Sequence, residues 1–414
     1  MITEELMVKI ISGGVTAPKG FEAAGIEACI KYQNRKDMAI LYSTAPCVAA
    51  ATFTSNVVKA APVKWDKKLV DESPFVQAVI VNTGIANAGT GSEGMKCAEE
   101  TASAAALALG LPVSAVLVGS TGVIGPQLPM DRIKAGIAKL VLAKNSLPES
   151  SADAARAIMT TDTQPKEFAV QTEIDGVTVT IGAISKGSGM IHPNMCTMLS
   201  YVCTDAVISK ETLTALVKED VKDTFNMISV DGDTSTNDTL IVLANGQAGN
   251  PEIKPGTPAY EAFRSALHLV NETQAKRLAG DGEGATALVE CQVIGADTKE
   301  NARILARSVI SSNLNKAAVF GHDANWGRIL CALGYSGASF DPEKMAVYYE
   351  GGGEKVLLYE DGLGKDYSEE TATAILSQPE VRIIADMKMG NASATAWGCD
   401  LTYDYVKING DYRT

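Results

Sequence analysis

Histidine is nearly absent from this chain. Its three copies in 414 residues, His192, His268 and His322, lie too far apart to make metal-ligand spacing. No G-x-S-x-G run occurs either, so no Ser-His-Asp elbow is signalled. The eight cysteines never fall as a C-x-x-C pair. That argues against a zinc knuckle and against a disulfide framework, and predicts reduced, mostly buried thiols. Long apolar runs are missing as well: no window approaches the ~18 residues of a membrane span. The opening MITEELMVKI is too acidic and too short of an apolar core for a secretory signal. Positive charge is scarce, 36 Lys and Arg against 49 Asp and Glu, for a net charge of -13. Nucleic acid and anionic membranes are therefore poor partners, although a locally basic site for a small anion remains open. These absences together predict a cytoplasmic protein without a metal.

What is present is ordinary core material, 46% hydrophobic and 21% charged residues, enough for two or three core-bearing lobes. Short apolar runs broken by Gly and Pro over 9–60 predict strands and turns. Strands are expected at 76–82 and 113–119, an Ala-rich helix ending at Gly110, and a helix over 131–143. Two alternating arms around Asp175-Gly176 predict a hairpin with a type I′ turn. Further on, helices are expected at 210–224 and 258–278. Strands are expected at 239–245, 286–295 and 344–350, with another after Gly351-Gly352-Gly353. No Pro/Ser-rich linker or low-complexity tract interrupts the chain. The mixture implies a layered α/β fold and not a bundle or a sandwich.

Several glycine-rich pieces invite a nucleotide reading and fail it. The run from Gly119 to Gly125 follows a strand but lacks the Lys-Ser/Thr of a phosphate loop. The run from Gly280 to Gly284 follows a helix instead of a strand. Asp231 to Asn237 imitates the start of a calcium loop, yet Thr236 and Val242 stand where the turn glycine and the bidentate carboxylate belong. It reads better as a capped turn. His322-Asp323 and His192 read as structural. Thr121-Gly122, at a strand end, is a tight turn that could also present a hydroxyl and a backbone N–H to an acyl-transfer oxyanion.

The stretch from Ser185 to Ala206, SKGSGMIHPNMCTMLSYVCTDA, is different in kind. A plain core strand has no use for this order of glycines, a proline and a Cys196-Thr197 pair, delivered directly by the second arm of the hairpin. A threonine nucleophile needs no histidine if it is N-terminal, because its own α-amino group, with a pKa of roughly 7.7–8.0, can serve as base. Cleavage before it would free that amine: the threonine hydroxyl attacks the preceding carbonyl, the acyl link shifts from nitrogen to oxygen, and water releases the ester.

Within this stretch KGSGMIHPNMCTML resembles the self-cleavage region of the ornithine acetyltransferase family (the ArgJ type), also called glutamate N-acetyltransferase, of arginine biosynthesis. The resemblance continues through GGVTAPKGF, NTGIANAGTG, GSTGVIG, TTDTQPK, SVDGDTSTNDT, GDGEGAT, HDANWGRI and the closing AWGCDLTYDYVKINGDYRT, in order and over essentially the whole chain. It implies cleavage between Cys196 and Thr197 into an α chain of 1–196 and a β chain of 197–414. It also implies that Thr197 takes acetyl from N-acetylornithine as an ester and passes it to glutamate. Thr121 and Gly122 would stabilise the oxyanion, and Thr160, Lys186, Glu283, Asn409 and Thr414 would line the substrate pocket. By the same resemblance no cofactor is needed, α and β chains form a heterotetramer, and the layered fold is shared with self-processing aminopeptidases. Acetyl-CoA as a second donor is left open.

Three positions depart from the family pattern: Cys196 stands where Ala is frequent, His192 where a small residue is common, and Gly410 where Ala is usual. The rival enzyme is a self-processing amidohydrolase or aminopeptidase, in which water takes the acyl group. The non-enzymatic rival is a binding protein in which 185–206 is a folded loop.

Overall fold

The computed structural model describes residues 8–192 and 198–411. In chain order its strands are β1 (Lys9–Ile11), β2 (Phe21–Ile26), β3 (Met38–Phe53), β4 (Val76–Asn82), β5 (Val116–Ser120), β6 (Lys166–Ile174), β7 (Val177–Lys186) and β8 (Leu199–Thr204). They continue as β9 (Ile228–Ser229), β10 (Thr239–Ala244), β11 (Leu288–Ala296), β12 (Ala346–Gly351), β13 (Glu354–Glu360), β14 (Leu363–Gly364), β15 (Glu380–Asp386) and β16 (Ala392–Cys399). Two units divide them. The first takes the described residues of Met1–Gly187, Asn194–Lys222 and Thr234–Gln274, and the second those of Ser188–Pro193, Asp223–Asp233 and Ala275–Thr414.

The first unit holds one mixed sheet in the order β1-β6-β7-β8-β10-β3-β4-β5, with β2 added beside β3. The long β3 does two jobs. Met38 to Tyr42 pair with both β2 and β4, and after an irregular step before Cys47 the strand pairs with β10 from Val48 to Phe53. The continuous apolar run of β4 follows from cover on both faces. Val79 and Val81 enter one core with Leu41, Leu117, Tyr201 and Ile241, while Ala78 and Ile80 enter a second with Ile40, Val118 and Ile133. A strand buried on both sides loses the polar alternation of a half-exposed one. The helix Gly91–Leu109 closes over the second core with Cys97, Ala98, Thr101, Ala102, Ala105 and Ala106, and stops at Gly110 in the left-handed conformation.

The second unit is built on a sheet in the order β14-β13-β12-β15-β11-β16-β9. Its helix Lys299–Ser311 starts at Thr298, whose side chain accepts from the Asn301 N–H, and buries Ala302, Leu305, Ala306, Val309 and Ile310. Three- and four-residue spacing puts those side chains on one stripe.

The expected layered α/β fold is therefore met, with local corrections. Residues 113–115 form a 3-10 turn, and the strand begins only at Val116: Pro112 at the cap fixes the turn, and its carbonyl accepts from the Ala115 N–H at 2.9 Å. The helices Ala61–Glu72 and Pro148–Ala157 were not expected from the sequence. Each has a proline in its first turn, a position that tolerates the missing N–H. Among the described cysteines none is bonded to another; Cys47, Cys97, Cys203, Cys291 and Cys399 are buried and Cys331 is exposed. Among the described residues no helix is long and apolar enough to cross a membrane.

The hairpin forms as read: Asp175 and Gly176 both take positive φ, 49° and 77°, and β6 and β7 pair without interruption from Ile174↔Val177 to Lys166↔Ser185. A Cβ at Gly176 would meet nothing, so Gly176→Ala isolates backbone strain. Its expected cost is about 1–2 kcal/mol, read as a lower urea midpoint with an unchanged m-value.

Candidate active site

The hairpin carries Lys186 to the end of β7, where it is 7% exposed. Across the ladder its register partner is Leu199, the first residue of β8. Lys186 Nζ donates to Thr121 Oγ1 at 3.4 Å, which ties the end of β7 to the turn after β5. That turn is packed tightly onto the loop after β4. The Thr121 N–H donates to the Asn82 carbonyl and the Val123 N–H to the Gly84 carbonyl, both at 3.1 Å. Gly122 has φ +128°, and a Cβ there would lie 2.3 Å from the Gly84 carbonyl carbon. Only glycine fits. Among the described residues no acceptor takes the Gly122 N–H. Asn237 braces the same turn, its Nδ2 donating to the Ala86 and Ser120 carbonyls at 2.6 and 2.7 Å.

One carboxylate links the other residues of this region. Asp162 Oδ1 accepts from Lys166 Nζ and from the Gly187 N–H, each at 2.7 Å, and its Oδ2 accepts from the Thr160 N–H at 3.0 Å. Burial by itself would raise the carboxyl; the Lys186 and Lys166 ammonium groups, with the hydrogen bonds, overcome it and hold Asp162 at about 2. Arg35 adds a clamp on the same loop, its Nη2 donating to the Met159 carbonyl at 2.8 Å. Thr121, Gly122, Lys186 and Thr160 are thus brought together in the first unit.

In the second unit Glu283 is 6% exposed and accepts from Asn409 Nδ2 at 2.7 Å, while its N–H donates to the Ser188 carbonyl at 2.8 Å. Gly189 is flush against it, since a Cβ there would sit 2.3 Å from the Glu283 carboxyl carbon. Glu283 and Asn409 therefore meet in the second unit. The calcium-like spacing at Asp231 is spent on backbone: its two oxygens accept from the Met190 and Ile191 N–H groups at 2.5 and 2.8 Å. His192 is held as well, with Nδ1 3.0 Å from Ser229 Oγ and Nε2 3.2 Å from Arg307 Nη2. A guanidinium can only donate, so Nε2 accepts and the ring proton belongs on Nδ1. Burial, then Arg307, pushes the His192 pKa down. The structural reading of His192 and of the Asp231 turn agrees with these contacts. Cys196, Thr197 and Thr414 lie outside the described residues.

Asp162 and Lys166 are the residues that sequence reasoning missed. Both stand in TTDTQPK, from which only Thr160 was singled out. An Asp and a Lys four apart in a polar loop look like a solvated pair; burial to 0% and 3% side-chain exposure is a tertiary fact.

Comparison with known proteins gives a consistent result. The family model described as "ArgJ family" matches residues 22–414. The arginine biosynthesis bifunctional protein ArgJ of Symbiobacterium thermophilum is 54% identical over 406 residues, covering 98% of this chain and 99% of the relative. Its namesake from Thermotoga neapolitana is 49% identical over 400 residues, covering 96% and 99%. A crystal structure of ornithine acetyltransferase from Mycobacterium tuberculosis, complexed with ornithine, is 39% identical and covers 47% of this chain and 100% of that one, with a TM-score of 0.43.

Asp162 generates a pH prediction. Its carboxyl sits near 3.8 when unfolded and at about 2 when folded. The folded value is depressed, so its contribution is complete above about pH 4 and is lost as pH falls through about 2. Asp162→Asn should remove that acid-side slope. It also takes the negative charge away from two buried ammonium groups, at an expected cost of about 3–5 kcal/mol at pH 7. Urea unfolding at pH 7 and between pH 4 and 2 checks both effects.

Proposed function

Because this chain belongs to the ArgJ family, matched from residue 22 to 414, we propose that it moves acetyl from N-acetylornithine to glutamate through an ester on Thr197. The chain is an acetyltransferase of arginine biosynthesis. Before turnover Thr197 Oγ attacks the Cys196 carbonyl, the Cys196–Thr197 amide becomes an ester, and water hydrolyses it. The products are an α chain of 1–196 ending in a carboxylate and a β chain of 197–414 beginning with a free amine.

The observation that carries the reading is the Lys186–Thr121 hydrogen bond. Lysine can only donate, so Thr121 Oγ1 is the acceptor and its own proton is free to point elsewhere. An adjacent ammonium strengthens that hydroxyl as a donor. Beside it is the Gly122 N–H, with no acceptor among the described residues. Two such donors suit a tetrahedral oxyanion. Two peptide links separate Thr197 from Leu199, the ladder partner of Lys186.

Acetyl transfer then runs in two half-reactions. Thr197 Oγ attacks the amide carbonyl of N-acetylornithine, and the Thr197 amine takes the hydroxyl proton and returns it to the departing ornithine nitrogen. The glutamate amine next attacks the ester and restores the free threonine. Lys186 suits the substrate α-carboxylate and Glu283, steadied by Asn409, suits the ornithine ammonium; Thr160 and Thr414 complete the pocket. Relatives are named bifunctional, and acetyl-CoA is the second donor we assign to the same ester.

Cleavage need not separate the pieces. In the first unit β8 and β10 of the proposed β chain lie between β7 and β3 of the proposed α chain, paired on both sides. Compact units and cleaved chains are thus different divisions of the molecule. We assign a heterotetramer of α and β chains, working in the cytoplasm.

Wild-type protein should give two bands on a denaturing gel, and Thr197→Ala one band of full length, with acetyl transfer reduced on the order of 10⁴-fold. Cleavage persisting in Thr197→Ala would remove this nucleophile from the account. Hydrolysis of N-acetylornithine at the same rate with and without glutamate would favour the amidohydrolase rival.

A further inference from the structure

The loop between β2 and β3 holds more positive charge than it neutralises. Residues 27–37 include Glu27, Lys31, Arg35, Lys36 and Asp37. The acids are occupied locally: Asp37 is fully buried and accepts from the Ala28 and Ile30 N–H groups at 2.6 and 2.5 Å, and Glu27 accepts from the Asn34 N–H at 2.5 Å. Lys36 pairs with Asp153 at 2.6 Å. Arg35 reaches only the neutral carbonyls of Met159 and Thr160. Lys31 Nζ is buried and has no hydrogen-bond partner among the described residues. The Tyr32 ring faces both cations, 4.9 Å from Lys31 Nζ and 5.2 Å from the Arg35 guanidinium carbon. A ring face attracts a cation without cancelling its charge.

The stem of Lys31 packs against the loop that carries the oxyanion turn. A Cβ on Gly84 would lie 2.9 Å from Lys31 Cβ, and a Cβ on Gly122 would lie 2.3 Å from the Gly84 carbonyl carbon. The Lys31 Cβ thus packs on Gly84, and Gly84 packs in turn on Gly122. A buried charge without a counter-charge is unfavourable unless an anion arrives to meet it.

The proposed reaction supplies a reason for a buried ammonium at this place. Ornithine and glutamate share an α-carboxylate, which Lys186 can serve for both. Their side chains end in opposite charges. Glu283 suits the ornithine ammonium and repels the glutamate carboxylate, so the acceptor needs a second cation that the donor does not use. We propose that Lys31 binds the γ-carboxylate of the glutamate acceptor, with Arg35 adding positive potential at its rim. Donor and acceptor would then be discriminated by two separate side chains acting on one acetyl-enzyme. This assignment rests on the acetyl-transfer reading above.

Lys31→Met keeps the apolar stem and removes the charge; Lys31→Arg keeps the charge. Two rates are compared in each protein: acetyl transfer to glutamate, and exchange of labelled ornithine into N-acetylornithine without glutamate. The ratio of kcat/KM for glutamate to that for ornithine should fall at least tenfold in Lys31→Met and recover to within about threefold of wild type in Lys31→Arg. A fall of both rates with an unchanged ratio would mean that Lys31 only supports the turn, and would overturn the proposal. So would a raised KM for acetyl-CoA with glutamate unaffected, which would give the anion to the donor's phosphates. Calorimetric titration of glutamate into wild type and Lys31→Met needs no turnover. Weaker binding to the variant supports the role of Lys31 even if ornithine exchange is absent and the acetyl-enzyme reading fails; equal binding overturns it.

Discussion

One buried carboxylate, Asp162, stands against two buried ammonium groups, Lys166 and Lys186. Desolvating an ion is costly unless an opposite charge and hydrogen bonds replace water, and Asp162 contributes both to this cluster. The same carboxylate fixes the Thr160 and Gly187 N–H groups, so it sets the path of the chain on both sides of the site. The fold thus brings two ammonium groups to one carboxylate in a protein whose net charge is -13. One of them, that of Lys186, lies against Thr121 Oγ1. A cation held there by the fold, and not by mobile solvent, is what electrostatic preorganisation for an oxyanion requires.

A second constraint comes from the order of strands. The proposed cut near the midpoint requires that the two pieces stay assembled afterwards. The first unit would meet this need by insertion: β8 and β10, from after the Cys196–Thr197 bond, lie between β7 and β3, from before it, so the sheet's hydrogen bonds would survive loss of the peptide link. β8, which begins at Leu199, is flanked by a ladder on either side, and sites mounted on strands keep their geometry better than sites on loops.

Much of this could be read in the sequence, and the remainder has identifiable causes. Asp175-Gly176 announced its turn because a type I′ hairpin demands positive φ at both positions, which they adopt. The β4 run was legible because apolar residues without alternation fit a strand covered on both faces. The helix Ala61–Glu72 was not, since Pro62 resembles a breaker until its place in the first turn is known. Thr121-Gly122 could be noticed, but the need for glycine there comes from Gly84, 38 positions earlier in the chain. Asp162 and Lys31 were invisible for the same reason in sharper form: what distinguishes them is burial and the presence or absence of a partner, and neither is written in local pattern.

The central claim is a covalent one, an acetyl ester on the threonine that self-cleavage exposes. It is tested most directly by mass spectrometry of the protein mixed with N-acetylornithine and quenched in acid before any acceptor is added. The account predicts a β chain starting at Thr197 that carries one acetyl group on that residue, and loses it when glutamate is supplied. An uncleaved chain that transfers acetyl, or a cleaved chain whose acetyl group is on another residue, would contradict it.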